Sequence, residues 1–222
     1  MSDFGRQAIL DLQKVVAIYK YFIFLQQKKN SEADAQSFCT DLLSSVGNKL
    51  EYDCKDTRVH SIIDIFMEVN NDAEKLKSIL CEQCIENFFS VLEWYLIKSY
   101  EFLLRNDKNW FSEIKRDANK QLSYQEIDLD KTGLDLVIEK ETAGFGYKSI
   151  NEKLKSLLKR LKSENLDYDK QMLNNFNKTR QAIVHERDKV QVKENQLIEY
   201  YVFSHKLVIK IDEQISTIFD LK

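Results

Sequence analysis

The chain has 222 residues, 43% hydrophobic and 31% charged, with a net charge of −3, a balance that supports one sizeable core and excludes wholesale disorder. It contains no proline and 5 glycines, where average usage predicts roughly 11 and 15. The longest apolar run, Val15 to Leu25, is interrupted by Lys20 and too short to span a bilayer, and the start lacks a secretory pattern, so a cytoplasmic protein without a membrane partner is expected.

Proline breaks helices and glycine weakens them, so their scarcity predicts long helices joined by short polar connections. The expected fold is all-α: an up-and-down helical bundle with a few additional helices and one irregular, glycine-containing insertion. One domain over 1–222 is expected, with N-terminal helices in 1–72, central helices in 73–121, an irregular loop in 122–148 and C-terminal helices in 149–222.

In chain order, Ile9, Leu12, Val16, Tyr19 and Ile23 recur at steps of three and four, the stripe of an amphipathic helix. Ser31 with Asp34 can cap a second helix toward Leu50, and a third is expected around Ile62 to Val69. From Ala73 to about Leu104 the sequence is apolar nearly all round, with a narrow polar stripe at Glu86, Ser90 and Glu93, which predicts a central helix. Trp110 to Gln121 reads as a further short helix.

Gly133, Gly144 and Gly146 mark the irregular stretch, in which Leu134 to Ile138 suits a short strand or hairpin arm. The run GFGYKS has no glycine directly before Lys148 and no buried strand leading in, so it reads as a loop rather than a phosphate cradle. Ser149 with Glu152 forms a capping box for a basic helix ending near Lys162. The next helix runs from Tyr168 to about Glu186, and the last from Glu194 to Phe219, carrying Ile198, Tyr201, Val208, Ile211, Ile215 and Ile218.

Cys39, Cys54, Cys81 and Cys84 are the only cysteines. The last two form a C-x-x-C inside a helical stretch, with no second pair at zinc spacing, so small buried thiols are expected and neither metal nor cofactor is. Charge is uneven. Between Lys148 and Lys193 stand twelve Lys or Arg against six Asp or Glu, a local +6 that leaves −9 for the remainder. Such a region suits either a polyanion contact or a solvated lysine-rich face.

Of the three histidines, His205 falls on the apolar stripe of the last helix and is expected to be a hydrogen-bonded core residue, and His60 a surface residue. His185 differs. Met172, Leu173, Phe176 and Ile183 mark the core side of its helix, while Asn174, Lys178, Gln181 and His185 share the opposite side at steps of four, three and four. Arg180 stands five residues before it, about 140° around the helix. A histidine that moves protons near neutral pH and an arginine that grips phosphoryl oxygens are the chemistry a phosphodiester requires.

The segment KTRQAIVHERDKV, 178 to 190, resembles the R-x4-6-H signature of the HEPN family. The likeness is strongest in this motif helix and looser over residues 79 to 104 and the final helix. It implies a helical, metal-independent endoribonuclease, a toxin or phage-defence effector, that cuts RNA by 2′-hydroxyl attack and leaves a 2′,3′-cyclic phosphate. It also implies a homodimer with both motifs lining one cleft, and an antitoxin or other defence protein as a possible partner.

On this resemblance Arg180 and His185 are the catalytic pair, and Gln181 stands where the family usually has Asn. Lys178, Arg187 and Lys189 are expected to contact RNA, and Glu93 either orients the pair or is a solvated stripe residue. The alternative is a non-catalytic HEPN-like module for interaction or nucleotide binding. In that reading Arg180 and His185 merely complement the helix C-terminal dipole.

Overall fold

A computed structural model describes residues 1–28, 73–107, 131–185 and 192–219. These residues form six helices and no strand. They are α1 (Asp3–Lys28), α2 (Ala73–Asn106), α3 (Lys131–Gly146), α4 (Ile150–Arg160), α5 (Lys170–His185) and α6 (Glu194–Phe219). No helix among the described residues is long and apolar enough to cross a membrane. The helices expected at Ser31 to Leu50, Ile62 to Val69 and Trp110 to Gln121 lie outside the described residues, as do His60, Cys39 and Cys54.

α2 is the centre, as its all-round apolar character predicts, and every other described helix packs against it. Its buried residues include Ile85, Phe88, Phe89, Leu92, Tyr95, Leu96 and Tyr100. α1 packs against both α2 and α6, burying Leu12 and Tyr19 with Ile9, Val16 and Ile23 at the core margin, the stripe read from its spacing. Where α1 begins, the buried carboxylate of Asp212 on α6 accepts from the Ser2 amide at 2.7 Å and from the Ser2 hydroxyl.

Three expectations are corrected. Residues 131–146 are helical, so the irregular stretch does not extend over them, and Leu134 to Ile138 is neither strand nor hairpin arm. Val137, Ile138 and Phe145 recur at helical spacing and are buried, while Gly133, Gly144 and Gly146 fall in the terminal turns, where glycine does little harm. On α6, Val208, Ile211 and Ile215 are buried, but Ile198 and Ile218 are about half exposed, because the core takes the neighbouring row through Leu197, Tyr200 and Leu207. His205 is half-buried beside the Tyr201 ring at 5.8 Å, with no hydrogen bond to a described residue.

The capping box of α4 is present: the Ser149 hydroxyl accepts from the Glu152 amide, and the Glu152 carboxylate accepts from the Ser149 amide at 2.9 Å. Those bonds hold the Glu152 carboxyl below the usual carboxylate range. At the other end, Lys162 N–H bonds Lys159 C=O at 3.2 Å and Ser163 N–H bonds Leu158 C=O at 3.0 Å, a Schellman closure. It places Lys162 at φ 52°, the left-handed region. Glycine is the usual occupant there, and a side chain costs roughly 1 kcal/mol by comparison.

Candidate functional site

α5 presents the motif. Asp169 starts the helix, its carboxylate accepting from the Met172 amide at 2.8 Å, and Leu173, Phe176 and Ile183 anchor it in the core. The opposite row, Asn174, Lys178, Gln181 and His185, is exposed along its whole length, as the spacing predicts. His185 is the last helical residue and has no partner among the described residues. Arg187 and Lys189 lie outside those residues.

Arg180 is half-buried, and its guanidinium carbon sits 5.4 Å from the centre of the Phe89 ring of α2. That ring meets Phe176 edge-on at 5.3 Å, and Phe176 stacks on Tyr200 of α6 at 4.6 Å. The Tyr200 hydroxyl is in turn 2.8 Å from Thr179 Oγ1. The guanidinium thus lies on an aromatic bed built from three helices. Among the described residues it makes no ion pair and no hydrogen bond, so its N–H donors remain open to an anion.

Arg180 and His185 are not brought onto one face. A five-residue step separates them by about 140° in rotation and roughly 7.5 Å along the axis. The Arg180 row lies against α2 while the His185 row faces outward.

Glu93 is held elsewhere. Its carboxylate accepts from Lys153 Nζ of α4 at 2.6 Å, and the lysine side chain is 4% exposed. It is therefore paired rather than free, and among the described residues it makes no contact with Arg180 or His185. Lys153 was missed because a lysine in a basic helix reads as surface. Yet Ile150, Leu154, Leu157 and Leu161 flank it at core spacing, and that was the available signal. Phe89 and Tyr200, which position Arg180, carry no mark in the motif itself.

Cys81 and Cys84 are free and buried, and burial pushes the Cys84 thiol up to about 11. Among the described residues no cluster of His, Cys, Asp or Glu is placed to hold a metal ion. No protein-family model, curated protein or solved structure matches this chain.

Proposed function

We propose that the chain is a metal-independent endoribonuclease of HEPN type, a cytoplasmic toxin or phage-defence effector that works as a homodimer. One observation carries the reading: Arg180 is clamped on Phe89 with its donors open, and an exposed His185 ends the same helix. In this chemistry His185 takes the proton of a ribose 2′-hydroxyl, or gives one to the departing 5′-oxygen. The 2′-oxygen bonds to the adjacent phosphorus, the bond from phosphorus to the 5′-oxygen breaks, and Arg180 neutralises the charge gathering on the phosphoryl oxygens. The products are a 2′,3′-cyclic phosphate and a 5′-hydroxyl. The 140° offset favours a site in which one subunit's arginine and the other's histidine converge.

Gln181 in place of the usual Asn supports a second reading, a non-catalytic HEPN-like module that binds a partner or a nucleotide. Purified protein incubated with total RNA in excess chelator separates the two. Fragments ending in cyclic phosphate support the ribonuclease; intact RNA from protein free of any bound inhibitor supports the module.

A further inference from the structure

Between Tyr147 and Lys162 the chain carries six cations and one acid. The acid, Glu152, is tied into the capping box, and Lys153 is consumed by Glu93. The other five, Lys148, Lys155, Lys159, Arg160 and Lys162, form no ion pair with any described residue, and all lie on the solvent half of α4 or in the turns at its ends. Two of them are held in place. Lys148 Nζ donates to Ser156 Oγ at 3.2 Å, and Arg160 lies 5.1 Å over Tyr100, which stacks on Phe145 at 4.0 Å. Beside them Tyr147 is 92% exposed, in a turn fixed on one side by buried Phe145 and on the other by the capping box.

Asn151, Lys155, Lys159 and Lys162 follow one another at steps of four, four and three, a single row along α4. At its head, Asn151 Nδ2 donates to Asn174 Oδ1 at 2.9 Å. Asn174 is the first residue of the exposed α5 row that ends at His185. The two rows therefore join into one polar path, each arm roughly 16 Å long at 1.5 Å per residue. Lys162 occupies a left-handed position that glycine would fill with less strain.

We propose that this path is a track for single-stranded RNA, in which Lys155, Lys159 and Lys162 follow the phosphates, Lys148 and Arg160 flank them, and Tyr147 stacks on an unpaired base. Unpaired cations supply counterion release, and a fully exposed ring supplies a stacking face that a base-paired strand cannot use. The proposal rests on the ribonuclease reading for its direction, since the α5 arm leads to His185.

The test is binding of a fluorescent 2′-O-methyl oligoribonucleotide, which lacks the 2′-hydroxyl and is not cut, to the full chain. Tyr147→Ser is expected to weaken binding about fivefold or more. Lys155→Gln with Lys159→Gln is expected to weaken it and to flatten the dependence of log affinity on log salt by roughly 1.4. Lys162→Gly is expected to raise the melting temperature while lowering affinity, a combination that a merely structural lysine does not give. Lys14→Gln on α1, the control, leaves affinity unchanged.

Wild-type affinity and salt slope in the strip variants overturn the track, as does a duplex bound as tightly as the single strand and indifferent to Tyr147. The two readings fail separately. Strip-dependent binding without cleavage of natural RNA upholds the track and sinks the nuclease; cleavage with strip-independent binding does the reverse.

Discussion

A side-chain carbon on Gly5 would stand 2.6 Å from Cγ of Asp212 and nearer still to its Oδ1. α1 and α6 meet there at a distance only glycine permits, and the buried carboxylate cannot retreat without losing its bonds to Ser2. Gly5→Ala is therefore expected to destabilise the fold by about 1–3 kcal/mol, as overpacking does. Gly144 has nothing within 4 Å of the same position, and Gly144→Ala should leave stability unchanged or raise it by about 0.5–1 kcal/mol. Urea melts of both variants check the contrast.

The motif makes a second pair of expectations. His185→Ala should lower RNA cleavage by about 10²–10⁴-fold, the usual worth of general acid–base help, with the melting temperature unmoved because the side chain is exposed. Arg180→Lys should also impair cleavage, since an ammonium lacks the bidentate fork. It should cost little stability, because a lysine can still lie over Phe89. DNA should not be cut. Cleavage by His185→Ala at the wild-type rate would remove the catalytic assignment.

Lys153 and Glu93 should behave unequally. Glu93→Gln leaves an ammonium whose side chain is 4% exposed without its counter-ion, whereas Lys153→Met leaves a carboxylate on a side chain 31% exposed, which water can reach. The first change is expected to cost about 1–3 kcal/mol and the second less. The double variant should recover part of the loss. Equal costs in chemical denaturation would mean that the pair is no more than a surface contact.

Much of this was legible in the chain. The bounds of α2, α5 and α6 follow from apolar periodicity, and the exposed row ending at His185 follows from its four, three, four spacing. α3 was not legible, because three glycines and the run Leu134 to Ile138 imitate a loop with a strand, and only contact with α2 settles a helix. Nor were the Phe89 bed of Arg180 and the capture of Glu93 by Lys153. Both depend on how α4 and α5 are rotated against α2, and local spacing does not set that.

The buried thiols give a pH dependence. Burial raises Cys84 to about 11 in the native state, against about 8.5 in an unfolded chain. The folded form thus holds its proton more tightly. This contribution is complete below the unfolded value and is lost as pH rises through that window toward 11. Since the thiolate is the reactive form, the peptide bearing Cys81 and Cys84 should resist alkylation at neutral pH and react freely in urea. Mass spectrometry of that peptide checks it; rapid native labelling would contradict the buried placement.

The bond between Ser2 and Asp212 joins residues 210 apart. On a ribosome adding about 5–20 residues per second, the two ends of that bond are made roughly 10–40 s apart. For most of that interval α1 is already made, and its apolar stripe waits for α6, one of the two surfaces that bury it. The contact that seals α1 against α6 can therefore form only once α6 has been made, however early α1 itself becomes helical.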